Sequence, residues 1–138
     1  MADSLFERVV VPVANEEDAR STARGIAPYG PDRVTALHVV EKGEGTPDKT
    51  PVEQSEELAA ESFAAVREVF PDAGEHTAYA RDVAGAIVEA ADEVGASAIV
   101  YRSRGGGRLM QFLSGDISLT LVTEADRPVI ALPTGDEE

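Results

Sequence analysis

The chain has 138 residues, 43% of them hydrophobic, which is enough to bury the core of a single domain spanning 1–138 and is far above what a disordered chain would show. It contains no cysteine, which rules out a disulfide framework, a thiolate metal site and a cysteine nucleophile. Twenty-six acidic residues against ten arginines and two lysines give a formal charge of -14, a field that repels nucleic acid and anionic membranes. An acid-rich, lysine-poor surface suits a cytoplasm of very high salt, where screening removes the self-repulsion. A halophilic source is therefore expected, an ordinary acidic protein being the alternative. The segment Met1-Ala2-Asp3-Ser4-Leu5-Phe6-Glu7-Arg8 lacks the basic region and apolar run of a signal peptide. No apolar run approaches the ~18 residues of a membrane span. A cytoplasmic location with no membrane partner is the expectation.

Glu7 to Val13 holds a continuous β-branched run, too short for a helix and apolar on both faces, as in a buried central parallel strand. Pro12 near its end is tolerated, because a missing donor there costs little. Asn15 can cap a helix whose first turn, Glu16, Glu17 and Asp18, favours the positive end of its dipole. That helix runs to about Ala27 and stops at Pro28-Tyr29-Gly30-Pro31. Arg33 to Val40 is the second strand; His38 within it reads as a core histidine. After a polar loop from Glu41 to Lys49, Thr50-Pro51-Val52-Glu53 carries three start signals for the longest helix. Ala59, Phe63, Val66 and Phe70 form its core-facing stripe, and Pro71 ends it.

Glu75 to Ala80 is a short, mixed third strand that suits a sheet edge. Asp82 caps a third helix, which buries Val83, Ile87, Ala90, Ala91 and Val94 and ends at Gly95. Ser97 to Tyr101 is the fourth strand. A last helix, from about Ser114 to Asp126, sets Ile117, Leu121 and Ala125 on one face. Pro128 to Pro133 is a fifth strand and Thr134 to Glu138 a polar tail. The alternation predicts one layer of parallel sheet between helices. An apolar final strand belongs at an edge, where an isologous dimer through Val129 to Leu132 would cover it.

The fourth strand delivers the chain into Arg102-Ser103-Arg104-Gly105-Gly106-Gly107-Arg108, with Gly115-Asp116 beyond. Loops at the carboxyl ends of parallel strands are where such folds bind ligands. Three glycines admit a close backbone approach, and three arginines on an acidic chain favour an anion. The alternative is a surface loop whose arginines stay in water. No catalytic constellation is evident: the two histidines fall in separate strands with no evident serine or carboxylate partner. No metal-ligand cluster appears, and nothing marks Ser103 or Ser114 as an activated nucleophile. The acidic pairs Glu56-Glu57 and Asp92-Glu93 fall on solvated helix faces.

From about Glu7 to Pro133 the chain resembles the universal stress protein family. The resembling pieces are Val9-Val10-Val11-Pro12-Val13, Leu37-His38-Val39-Val40, the stretch from Ala98-Ile99-Val100 through the glycine loop to Gly115, and Ala125-Asp126-Arg127-Pro128-Val129-Ile130. The resemblance implies an α/β fold: a five-stranded parallel sheet with helices on both faces, Rossmann-like and of the adenine nucleotide alpha hydrolase-like kind. It also implies a dimer through the last strand, a stress-response role, and a nucleotide site of Gly-x2-Gly-x9-Gly-Ser/Thr with an aspartate after the first strand. Here the second and third glycines fall on Gly105 and Gly115, but the first falls on Arg102, the hydroxyl residue on Asp116 and the aspartate on Ala14. A long side chain, a carboxylate and a lost acceptor each oppose a nucleotide.

By this resemblance the candidate nucleotide or anion site is Pro12, Val13, Ala14, Val39, Arg102, Arg104, Gly105, Gly106, Gly107, Arg108, Gly115, Asp116 and Ile117. Arg102 and Asp116 would pair and partly fill it, the alternative being that Asp116 simply caps the last helix. The expected ligand is a sulfate, a phosphate, or weakly bound ATP or AMP, with Mg²⁺ recruited by Asp116 as a lesser alternative. The function expected is a regulatory or binding module. A functional ATP or AMP binder and a ligand-free scaffold for protein partners are the alternatives, and a slow nucleotide hydrolase rests on the resemblance alone.

Overall fold

A computed structural model describes residues 5–13, 15–41, 52–80, 82–102, 120–121 and 123–132. Its strands are β1 (Arg8–Pro12), β2 (Arg33–Glu41), β3 (Gly74–Ala80), β4 (Ala98–Arg102) and β5 (Val129–Leu132). The helices between them are α1 (Glu16–Ile26), α2 (Val52–Val69) and α3 (Val83–Val94), and a 3-10 turn at Ala27–Tyr29 follows α1. All five strands are parallel and lie in the order β3-β2-β1-β4-β5. The continuous apolar run of β1 thus sits in the centre, and the mixed third strand and the last strand sit at the two edges, as the sequence predicts.

Alternation along the strands divides the core into two layers, because successive side chains leave a strand on opposite faces. Val9, Val11 and Val13 of the first strand segment pack with Ala19 and Ile26 of α1 and with Phe63 and Val66 of α2. Val10, Leu37, Ile99 and Tyr101 pack with Ile87, Ala90 and Ala91 of α3 and with Leu121. Helical backbone at 120–121 and 123–124 agrees with the end of the predicted last helix; the start of that helix lies outside the described residues. Val9, Val10, Val11, Ile99 and Val100 are wholly buried, and each such side chain at the sheet centre contributes roughly 1.5–3 kcal/mol.

The helix ends follow from the chemistry of their caps. Asn15 Oδ1 accepts the Asp18 amide at 2.8 Å, and Asp82 Oδ1 accepts the Gly85 amide at 3.1 Å; each satisfies a donor that the first helical turn leaves free. Gly95 stops α3 at φ 66°, a left-handed conformation that costs a side chain with a Cβ. Thr50 and Pro51, predicted to start α2, lie outside the described residues. On the α1–α2 side, Arg20 bridges Glu16 at 3.0 Å and Glu68 at 2.9 Å. The guanidinium holds the Glu68 carboxyl below its ordinary value, mainly through that hydrogen bond.

The sheet is locked at its other end by a residue from the turn before β5. Arg127 Nη1 donates to the carbonyls of Ala91 at 2.9 Å and Ala96 at 2.8 Å. Its Nη2 meets Asp92 and its Nε meets Asp126. A cation at a helix carboxyl terminus satisfies carbonyls and opposes the dipole's negative end. No described helix is long and apolar enough to cross a membrane.

Candidate functional site

The strand order has one topological switch. From β1 the chain crosses to β2 on one side, whereas β4, on the other side of β1, leads outward to β5. Helices that leave adjacent strands in opposite directions open a crevice beyond the strands' carboxyl ends, and open α/β sheets bind ligands there. In this chain that crevice lies beyond Pro12 and Val13 at the end of β1 and Arg102 at the end of β4. The β1–β4 register, Val9 with Ala98 and Val10 with Ile99, brings Val13 and Arg102 to neighbouring positions when continued to the strand ends.

The β1 side of the crevice is rigidly built. Val13 is fully buried and Val39 is 5% exposed. The Val13 amide donates to the Leu37 carbonyl at 2.8 Å, extending the β1–β2 ladder beyond the last strand residue. The Val13 carbonyl accepts from His38 Nδ1 at 3.3 Å. Because that partner can only accept, the neutral ring carries its proton on Nδ1. His38 is buried, and burial holds its imidazole below the ordinary histidine value, opposed in part by the bond to Val13. The sequence reading of His38 as a core histidine holds, but its specific partner at the crevice floor was not legible.

The amino terminus of α1 also opens toward this crevice. Its first turn carries Glu16, Glu17 and Asp18, so its own carboxylates already occupy the positive end of the dipole and disfavour a phosphate there. The other side of the crevice is the end of β4. On that side Arg102 closes β4 in register with Leu132 of β5. Ala14, Arg104, Gly105, Gly106, Gly107, Arg108, Gly115, Asp116 and Ile117 lie outside the described residues, as does the expected Arg102–Asp116 pair.

The expectation that neither histidine has a carboxylate partner needs correction for His76. On β3 its Nε2 lies 3.6 Å from Glu93 Oε1. The β2–β3 register places His76 beside Leu37, on the α3 face, and so within reach of a helix residue far along the chain. Both side chains are substantially exposed, and the pair joins α3 to the sheet edge rather than forming a dyad in a crevice. The acidic pairs Glu56-Glu57 and Asp92-Glu93 are exposed, as predicted. No group of three or more metal-ligating side chains occurs among the described residues.

The sequence matches the universal stress protein family over residues 5–133. No curated protein matches it. Among solved structures, the chain is similar to a universal stress protein from Archaeoglobus fulgidus in complex with dAMP. The two share 23% identity over 94% of this chain and 99% of the other, with a TM-score of 0.64. It is also similar to a universal stress protein in complex with cAMP, at 20% identity over 96% and 100% of the two chains and a TM-score of 0.66. A universal stress protein family protein from Arabidopsis thaliana with AMP bound is 16% identical over 96% and 94%, with a TM-score of 0.60. These structural likenesses establish the fold, and a family match spanning nearly the whole sequence establishes the lineage: the chain belongs to the universal stress protein family.

Proposed function

We propose that this universal stress protein is a cytoplasmic regulatory or binding module of one domain, acting as a homodimer, whose nucleotide site has degenerated toward a weak anion site. The observation that carries the reading is a set of three departures of the sequence from the family's nucleotide motif. Arg102 stands where the family's motif has glycine, Asp116 where it has a hydroxyl and Ala14 where it has a carboxylate. Each removes clearance or a polar contact that a nucleotide uses, and the first turn of α1 adds three carboxylates on the β1 side. Arg104, Arg108 and the amides of Gly105 to Gly107 remain as donors for a single phosphate or sulfate. The edge position of β5, bonded among the described strands to β4 alone, supports a dimer through Val129 to Leu132. The strong negative charge supports a halophilic origin and no nucleic-acid partner.

A second reading, a functional ATP or AMP binder in which Arg102 turns aside to contact a phosphate, is favoured by the dAMP, cAMP and AMP named for the similar structures. A thermal-shift titration with ATP, ADP, AMP and inorganic phosphate, with and without Mg²⁺ in molar KCl, separates the two, since a ligand selective for the folded state raises stability. The degenerate-site reading expects no saturable response to nucleotide beyond that to phosphate. A saturable rise with ATP or AMP but not phosphate would overturn it. A folded dimer with no response to any of them would direct attention to protein partners.

A further inference from the structure

At the opposite pole of the sheet from the crevice, the amino ends of β1, β2 and β3 frame an open groove of about 1000 Å³. Arg8 and Arg33 both line it, and they are register partners on adjacent parallel strands. Like charges set directly opposite on neighbouring strands are destabilising, and this chain has acidic residues in excess with which to neutralise them. Among the described residues, Arg20, Arg67 and Arg127 each contact a carboxylate in this way, and Arg24 on the exposed face of α1 does not. Arg8 instead donates to the Val94 carbonyl at 3.3 Å, and Arg33 makes no ion pair among the described residues. Two arginines therefore line one groove side by side, Arg8 with a guanidinium nitrogen on the carboxyl end of α3 and Arg33 with no carboxylate partner among the described residues.

The rest of the lining selects among anions. Thr35 follows Arg33 by two residues and so shares its face. Its register partner on β3 is Gly74, where a Cβ would stand 3.6 Å from Thr35 Oγ1; the glycine leaves the hydroxyl uncovered. Asp32 and Asp72 also line the groove, so its formal charge is balanced, and a dianionic phosphate would face two carboxylates as well as two guanidinium groups. Phe70 and Val94 supply apolar wall, which a bare inorganic ion cannot use. A single carboxylate attached to an apolar body satisfies all of these features, since guanidinium groups take carboxylates in a two-pronged fit.

We propose that this groove binds a small monocarboxylate with an apolar body, seated on Arg33 and Arg8 with Thr35 as a further donor. The site is separate from the switch-point crevice and independent of whether a nucleotide binds there. The test is an amide chemical-shift titration of the full chain with hexanoate, with hexanol and inorganic phosphate as controls. Hexanoate should move the amide resonances of Arg33, Thr35 and Gly74 saturably, with phosphate weaker and hexanol without saturation. Arg33→Gln should weaken hexanoate by at least about fivefold while leaving the melting temperature no lower than that of the parent, because it removes a like-charge pair and no ion pair. Absence of saturable hexanoate shifts at these residues overturns the proposal. So do phosphate or hexanol binding as tightly as hexanoate, and hexanoate affinity unchanged in the variant.

Discussion

Replacing Arg127 by alanine tests whether one side chain joins the end of α3 to the entry of β5. Its side chain is only 15% exposed, and the guanidinium donates to the carbonyls of Ala91 and Ala96. The two acceptors differ in what they lose. Ala91 O keeps the amide of Ala96 at 2.9 Å, so its loss is modest, whereas Ala96 O loses the donor that the fork supplies. A hydrogen bond from a charged donor is worth about 1.5–3 kcal/mol, and an unsatisfied buried acceptor costs about 1–3 kcal/mol. The contacts to Asp92 and Asp126, exposed by 54% and 66%, add only about 0–1 kcal/mol and are screened by salt. Counting one carbonyl in full and the other in part gives a loss of about 2–3 kcal/mol, or roughly 6–10 °C in melting temperature for a domain of this size. Urea denaturation followed by circular dichroism, at low and at molar KCl, should show a lower midpoint with an unchanged slope. Arg127→Lys should recover less than half of the loss, because a single ammonium cannot span both carbonyls and Asp92. A loss below about 0.5 kcal/mol, or one that vanishes in molar salt, would show that the exposed ion pairs dominate and refute the carbonyl-capping argument.

Two further outcomes follow from burial. Ile99 is wholly enclosed in the α3-side layer, so Ile99→Ala should cost about 2–5 kcal/mol in denaturant titration; a loss near 1 kcal/mol would mean that layer collapses around the cavity or is loosely packed. Burial holds the His38 imidazole below its ordinary value, so the unfolded chain takes up that proton first as pH falls. Its contribution to stability is therefore constant above about pH 6.5 and declines below it, by at most about 1.4 kcal/mol per pH unit. The stability difference between the parent and His38→Gln should shift with this slope between about pH 6.5 and 5, and parallel pH profiles would contradict the buried, neutral assignment.

How much of this was legible in the sequence differs by element. The first strand was found within a residue at each end, because Val9 to Val11 are apolar on both faces and only a central strand buries both. The caps Asn15 and Asp82 and the stop at Gly95 were legible because each acts on backbone groups within a few residues of itself. The candidate crevice was legible only as a place: a glycine- and arginine-rich loop after a strand marks a carboxyl end, and the sheet order then makes it the switch point. That His38 would hold the Val13 carbonyl could not be read, since the residues are 25 apart and no local period links them. The partner of His76 was missed for the same reason, as Glu93 lies on the helix that packs over β3.

The sequence by itself determined the α/β alternation, which runs are strands and which helices, and the edge character of the third and last strands. Those properties rest on periods of 2.0 and 3.6 residues and on local capping chemistry, all expressed within one element. Tertiary structure alone decided that Arg127 closes α3 from 31 and 36 residues away. It also set Arg8 and Arg33 side by side over a groove at the pole opposite the crevice. Register between parallel strands is set by crossover packing of whole helices on the sheet, and no segment of sequence encodes that sum of distant contacts on its own.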